Sequence, residues 1–240
     1  MYRLAKKSYG PLNPVQRGSS GVEPREEWNR YDVAGQQTVY AASTERGAYG
    51  ELLAALKRRM PAPASSYFDD VGSDDELDSL IAEEWQSSGF RPPRQLAMSW
   101  LREFRLYHLT LPTLGWFIDI ESAASLAAIT RFAPRTLVEH GITEITVAEL
   151  RGRERWITTA ISTRIWPITL DDGSLAHGIA YGSRHGSDWD CWAIWIRRTQ
   201  HARAAKGLVT VADSGIEIRV PEFNPALQSI LTTYGLTVSR

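Results

Sequence analysis

Apolar residues recur along this chain in short blocks, and the spacing within each block predicts its secondary structure. The run QTVYAA at residues 37–42 combines β-branched and aromatic residues, which is typical of a strand. Comparable runs predict strands near residues 1–5, 37–42, 105–112, 115–120, 178–182 and 191–196. The run GLVTVADSGIEIRV predicts a hairpin over residues 207–220.

Other segments repeat their apolar residues at helical spacing. The first predicted helix begins after an N-cap at Ser43 or Thr44 and extends to about Arg59. Its predicted apolar stripe consists of Ala48, Leu52, Ala55 and Leu56. Further helices are predicted near residues 74–87, 93–104, 122–132, 153–166 and 224–234.

The order of these elements predicts an α+β fold in which strands come from distant parts of the chain. The segment MPAPASSYFDDVGSDD is rich in Pro, Ser and Asp, which indicates a loop, and two predicted helices follow it. Residues 60–105 are therefore interpreted as an inserted loop with helices, a candidate lid. We expect a single domain spanning residues 1–240.

Composition excludes several function classes. The net charge of -1, from 27 basic and 28 acidic residues, gives no global field that would favour nucleic acid or a membrane surface. A single cysteine excludes an intrachain disulfide framework and a cysteine-rich metal site. Charges interrupt every long apolar run, so we expect no membrane association and a cytoplasmic location.

Arg30 and Tyr40 are the first candidate functional residues. Arg30 precedes the turn residue Gly35, and its planar guanidinium suits a phosphate or carboxylate held in two places. A surface ion pair with Glu26, Glu27 or Asp32 is the alternative. Tyr40 lies in the predicted strand at 37–42, where its ring could stack on a flat heteroaromatic group or pack in the core.

Glu51 is a stronger candidate because it borders the apolar stripe of the first helix. A carboxylate beside Ala and Leu is costly to bury unless it is paired or functional. A surface ion pair with Arg46 or Lys57 remains the alternative interpretation.

Established motifs for other chemistries are missing from the sequence. Ser183 lies between Gly182 and Gly186, which does not match the G-x-S-x-G spacing of serine hydrolases, and its position relative to His185 does not favour a Ser-His pair. The histidines lack metal-binding spacing, and neither the dinucleotide nor the nucleoside-triphosphate fingerprint occurs. The basic runs at 57–59 and 196–206 are interpreted as solvated faces, so we expect no direct nucleic-acid binding.

Four motifs in this order resemble those of the RES-domain family, whose name refers to an arginine, a glutamate and a serine. RYDVAG matches the arginine motif at Arg30, TVYAA the strand with Tyr40, GAYGE the helix with Glu51, and GIAYGSR the serine motif with Ser183. The opening YRL, with Arg3, and the strand FIDI are similar in a weaker way. The resemblance spans residues 2 to about 196.

This sequence departs from the family pattern in two places. Tyr49 and Gly50 occupy positions where the family commonly has Leu and Ala, so Tyr49 is a candidate for altered substrate fit. The segment 60–105 is longer than its counterpart in small family members, which bears on the target of the protein more than on its chemistry.

The resemblance implies a fold similar to ADP-ribosyltransferases and cleavage of NAD at the nicotinamide-ribose bond by hydrolysis or phosphorolysis. It also implies a toxin paired with an Xre-type antitoxin protein. NAD would be a substrate, with no cofactor and no metal. Transfer of ADP-ribose to a protein target and a non-catalytic NAD-binding or interaction module are the alternatives.

The resemblance further implies a role for each site residue. Glu51 would contact the ribose or orient the acceptor, and Ser183 would bind the nicotinamide ribose or carboxamide. Arg30 would hold phosphate and Tyr40 would stack on nicotinamide. Arg3, Tyr31 and Arg184 are the further expected substrate-binding residues.

Overall fold

A computed structural model describes the greater part of the chain and has the expected α+β class. It describes residues 1–19, 25–57, 64–69, 72, 77–132, 135–139, 141–197, 203 and 205–239. The strands are β1 Tyr2–Lys6, β2 Thr38–Ala42, β3 Gln95–Ala97, β4 Phe104–Thr110, β5 Phe117–Asp119, β6 Gly178–Gly182, β7 Asp190–Trp195, β8 Thr210–Val211, β9 Ile216–Glu217 and β10 Thr237–Ser239.

Eight of these strands form one mixed sheet in the order β5-β6-β7-β2-β1-β4-β8, with β9 also paired to β4. Only β5 and β6 run parallel within this sheet; its other pairs are antiparallel. The parallel pair requires a long crossover, and four of the helices named below lie between these two strands in sequence. The six strands that were predicted outside residues 207–220 are confirmed as β1, β2, β4, β5, β6 and β7.

The helices in the described part of the chain range from one to three turns. They are α1 Glu45–Leu53, α2 Leu77–Ser87, α3 Met98–Leu101, α4 Ala123–Phe132, α5 Arg135–Glu139, α6 Val147–Arg151, α7 Arg155–Ile165 and α8 Pro225–Tyr234. Thr44 caps α1 by accepting from the Gly47 N–H, as one of the two predicted caps. Asn224 caps α8 in the same way, and Gly235 ends it in the left-handed conformation.

Two hydrophobic clusters cover the part of the sheet that matters for the site. One face of β2, β6 and β7 packs on the crossover helices through residues such as Ile161 and Ile179. A second cluster joins α1 to α3 and α8, with Tyr49, Leu53 and Leu231 at its centre. Helix α1 is thus held from two sides, because Ala48 belongs to the first cluster and Tyr49 to the second.

The prediction for α1 was right in its start and wrong in its stripe and its end. The helix ends at Leu53, and a turn of 3-10 helix follows over Ala54–Leu56, short of the predicted Arg59, which lies outside the described residues. Leu56 is exposed, whereas Leu53 is fully buried. The helix buries two faces instead of the single predicted stripe because the sheet and α8 contact it on different sides.

The predicted helix at 93–104 is wrong. Arg94 has a positive φ of 66°, and Gln95–Ala97 form strand β3, which pairs in parallel with the C-terminal strand β10. Only Met98–Leu101 are helical, and both end residues of this turn are buried. Pairing with a strand more than a hundred residues later overrides the local helical preference. The earlier predicted helix is confirmed as α2 over Leu77–Ser87, and residues 73–76 lie outside the described part.

The predicted hairpin over 207–220 is also wrong. Strands β8 and β9 both pair with β4, at Leu109 with Val211 and at Leu106 with Ile216. The segment therefore follows one sheet edge and bulges between the two strands. Gly215 permits the bulge with a φ of +81°, and a side chain there would collide with the Tyr107 ring.

No helix within the described ranges is both long and apolar enough to cross a membrane.

Substituting Gly50 with Ala should destabilise the protein, although Ala is the better helix former by about 1 kcal/mol. An added Cβ would lie 2.2 Å from a carbon of the Trp189 ring, which is itself buried. Relieving such overlap typically costs about 1–3 kcal/mol. The free energy of unfolding from urea denaturation measures the effect.

A double-mutant cycle with Trp189→Leu identifies the cause. Gly50→Ala should cost less in the Trp189→Leu background, where the ring is gone. An equal cost in both backgrounds would contradict steric overlap with Trp189.

Candidate functional site

Five of the seven residues expected at the site line one cleft, which has a volume of about 280 Å³. These five are Arg3, Arg30, Tyr40, Glu51 and Arg184. Ser183 is buried beside the cleft and bonds directly to Glu51. Residues from β1, β2, α1 and the loop after β6 thus meet, although they are widely separated in sequence.

The cleft opens where β1 and β2 diverge. These strands pair at Tyr2 with Ala42, whereas β1 pairs with β4 along all five of its residues. Further along, the Arg3 Nη1 donates to the Tyr40 carbonyl at 2.9 Å and bridges the gap with a side chain. Burial lowers the pKa of Arg3 to about 10, and its Nε is buried without a hydrogen-bond partner among the described residues.

The buried carboxylate of Asp32 fixes the segment that carries Arg30. Asp32 accepts from the Tyr40 hydroxyl at 2.8 Å, from the Arg17 Nε at 2.6 Å and from the Asn29 N–H at 2.9 Å. The Tyr40 hydroxyl in turn accepts from the Tyr31 N–H at 2.9 Å. Burial, followed by the charge of Asp32, raises the pKa of Tyr40 well above its ordinary value. These bonds hold the loop against β2.

Arg30 itself is buried and points to the end of α6. Its Nη1 donates to the carbonyls of Leu150 and Gly152, the latter at 3.2 Å. Unsatisfied carbonyls and the negative end of the helix dipole favour a cation here. The alternative of an ion pair between Arg30 and Asp32 is not what the structure contains, since Asp32 is paired with Arg17.

Glu51 and Ser183 form the second half of the site. The buried Ser183 Oγ donates to the Glu51 Oε1 and accepts from the His185 N–H at 3.0 Å. The rest of the Glu51 side chain is exposed to solvent within the cleft. Arg46, one of the two alternative partners considered with Lys57, pairs instead with Asp188 at 3.6 Å. The serine therefore orients a carboxylate that remains accessible to a ligand.

Cations dominate the cleft. Arg155 on α7 joins Arg3, Arg30 and Arg184 in its lining, and Glu51 supplies the one carboxylate among the described residues that line it. Burial and then the charges of Arg30 and Arg184 lower the pKa of Arg155. Its Nη1 is buried without a hydrogen-bond partner in the described part of the chain. Clustered guanidiniums with unused N–H groups are a setting for an anion such as phosphate.

His185, Tyr181 and Cys191 also line the cleft. Burial, together with Lys57 and the nearby arginines, lowers the pKa of His185 to about 4, so its imidazole is neutral at pH 7. Burial, then the nearby Glu51, raises the pKa of the Cys191 thiol, which disfavours a thiolate nucleophile. The described residues contain no cluster of side chains suited to hold a metal ion.

Two residues singled out from the sequence lie away from the cleft surface. Tyr31 is fully buried behind it, with its ring 4.7 Å from that of Tyr181 in an edge-to-face contact. Tyr49 points to the opposite side of α1, where its hydroxyl accepts from the Asn224 side chain at 2.8 Å. Tyr49 therefore belongs to the contact with α8, and altered substrate fit is not its structural role.

Sequence reasoning missed Arg155 and Tyr181, and it considered His185 only as an unfavoured partner of Ser183. Tyr181 and His185 lie within or beside the GIAYGSR motif, where Ser183 and Arg184 were the expected site residues. Arg155 is the first residue of α7, and its sequence neighbours give no sign that this helix end faces the cleft.

Neither family models, nor curated proteins, nor solved structures yield a match to this chain.

Tyr40→Phe should destabilise the protein, because it removes a hydroxyl that both donates to Asp32 and accepts from Tyr31. Leaving buried polar groups unsatisfied costs about 1–3 kcal/mol. Urea denaturation measures the loss, with the exposed Tyr9→Phe as a matched control that should change little. Equal stabilities of the two variants would contradict the role of this network.

Stability should fall on acidification from about pH 6.5 to about pH 4, in part because of His185. In this range the unfolded chain binds a proton at His185 with an ordinary pKa, while the folded protein keeps the ring neutral. The contribution is complete above this range and lost as pH falls through it. Denaturation at several pH values should show a shallower loss for His185→Gln. The exposed His108→Gln is the control, and identical slopes for both variants would exclude His185.

Proposed function

We propose that this protein cleaves NAD at the nicotinamide-ribose bond. The observation that carries the proposal is a single cleft in which an accessible carboxylate, oriented by a buried serine, stands among several guanidiniums. The resemblance to the RES-domain family supplies the reaction, and the geometry is compatible with the roles that it implies.

Glu51 is the proposed catalytic group. Departure of nicotinamide leaves an oxocarbenium-like ribosyl centre, and a nearby carboxylate stabilises the positive charge that develops there. The hydrogen bond from Ser183 restricts the carboxylate to one orientation without burying it. One oxygen remains to contact the ribose hydroxyls or to orient water or phosphate. The neutral ring of His185 adds no competing charge.

The arginines are proposed to hold the phosphates. Arg30 is fixed by two carbonyls, and Arg155 lines the same cleft and adds a second guanidinium for a phosphate. A second cavity of about 190 Å³ adjoins the first, and Arg3 and Asn29 line both. A dinucleotide could extend through both cavities with its pyrophosphate near Arg3. Tyr40 would then border the nicotinamide half.

The chain is proposed to have an ADP-ribosyltransferase type of fold, in which a sheet opens to admit NAD. The divergence of β1 from β2 beside Arg3 is the feature that supports this proposal. The expected place of action is the cytoplasm, where NAD is available. An Xre-type antitoxin protein would be the expected partner of a toxin with this activity.

Glu51→Gln should lower the rate of nicotinamide release from NAD by about a hundredfold or more, because a positioned charge is lost while the shape is kept. Glu45→Gln in the same helix is the matched control, since Glu45 does not line the cleft. Release of nicotinamide from NAD, followed with and without phosphate, measures the effect. Equal rates for wild type and Glu51→Gln would reject the assignment.

The products of labelled NAD distinguish the forms of the reaction. Free ADP-ribose indicates hydrolysis, ADP-ribose-1″-phosphate indicates phosphorolysis, and label on a protein band indicates the alternative of ADP-ribosyl transfer. Binding of NAD without any product over a long incubation would instead favour a non-catalytic module.

A further inference from the structure

A third cavity lies on the other face of the sheet, between the end of β7 and residues 207–209. Its volume is about 200 Å³, and apolar side chains such as Leu12, Ile194 and Val209 form its walls. Arg197 lines it as well and is 4% exposed. A buried cation in a cavity with largely apolar walls requires an explanation, because buried charges are normally paired.

The contacts of Arg197 leave its charge without a counter-ion in the described part of the chain. Its Nε donates to the Ala176 carbonyl at 2.9 Å and its Nη2 to the Trp166 carbonyl at 2.8 Å. Its Nη1 is buried and has no hydrogen-bond partner among the described residues. Burial lowers the pKa of Arg197 to about 10, which remains high enough for a full charge at neutral pH.

Two tryptophans hold the guanidinium in place. The Arg197 guanidinium carbon lies 4.7 Å from the centre of the Trp166 ring and 5.4 Å from that of Trp195. These contacts stabilise the cation but supply no acceptor for the Nη1 N–H groups. His177 also lines the cavity, and burial lowers its pKa, which disfavours a second positive charge there. An imidazole carries no negative charge in either form, so His177 is no counter-ion for Arg197.

We infer that this cavity binds a small organic carboxylate with an apolar body, whose carboxylate serves as the counter-ion of the Arg197 guanidinium. The walls favour an apolar group over inorganic phosphate, because a phosphate ion that leaves water for this cavity would find one cation and few other hydrogen-bond donors. A cavity of about 150 Å³ with apolar walls is known to hold benzene, so this one has room for a ring bearing a carboxylate. The site is separate from the cleft of Glu51 and does not depend on the proposed reaction.

Isothermal titration calorimetry with benzoate tests the site, with benzamide as an uncharged probe of the same shape. We expect saturable binding of benzoate at one site and binding of benzamide that is weaker by about tenfold or more. Arg197→Met should weaken benzoate binding by a similar factor and leave nicotinamide release from NAD unchanged. Arg155→Met in the other cleft should leave benzoate binding unchanged.

A variant at the protein surface provides a second test in case Arg197→Met does not fold. Leu208 lines the cavity and is 52% exposed, so Leu208→Asp should fold and should weaken benzoate binding by charge repulsion, whereas Leu208→Asn should have a smaller effect. The inference is overturned by the absence of saturable binding, by equal affinities for benzoate and benzamide, or by loss of binding in Arg155→Met instead. Equal effects of the two Leu208 variants would also overturn it.

Discussion

The buried carboxylate of Asp32 is the interaction on which the geometry of the cleft depends. It gathers the Tyr40 hydroxyl, the Arg17 guanidinium and the Asn29 N–H around one side chain that is 2% exposed. A charge so deeply buried is tolerated only when several donors surround it. Here Tyr40 belongs to β2, whereas Arg17 and Asn29 belong to the segment that precedes β2. The loop carrying Arg30 is thereby attached to β2 and directed towards the end of α6.

A second constraint comes from the divergence of the sheet. Where β1 leaves β2, backbone groups would lose their ladder partners, and Arg3 compensates by donating to the Tyr40 carbonyl. Glu51 of α1 lines the opening that results. Ser183, which follows the end of β6, bonds to Glu51 there. Helix α1 is held rigidly on the sheet and on α8, which suits a residue that must present a carboxylate in one orientation.

The cleft of Glu51 and the cavity of Arg197 share one feature of charge distribution. The chain is nearly neutral as a whole, yet the arginines that line the cleft outnumber the carboxylates there. Arg197 lines its own cavity without a carboxylate partner among the described residues. In both places a buried guanidinium nitrogen lacks a hydrogen-bond partner among the described residues. A buried nitrogen without an acceptor is costly, and an anion that accepts from it would offset that cost. The arrangement therefore suggests ligand binding more strongly than it suggests a contribution to stability.

The sequence by itself predicted the α+β class, most strands, an N-cap at Ser43 or Thr44, and the residues Arg30, Tyr40, Glu51 and Ser183 as candidates. These depend on local composition and on short motifs, which operate over a few residues. Local patterns failed at 93–104 and at 207–220, where pairing with distant strands determines the conformation.

Only the tertiary structure decided which polar residues share a surface. Glu51 and Ser183 are 132 residues apart and bond directly, whereas Tyr31, adjacent to Arg30, is turned into the core. Arg155 and Arg197 gained significance solely from what surrounds them after folding. The physical reason is that burial and unmatched charge are properties of assembled neighbours, and no local segment of the chain contains those neighbours.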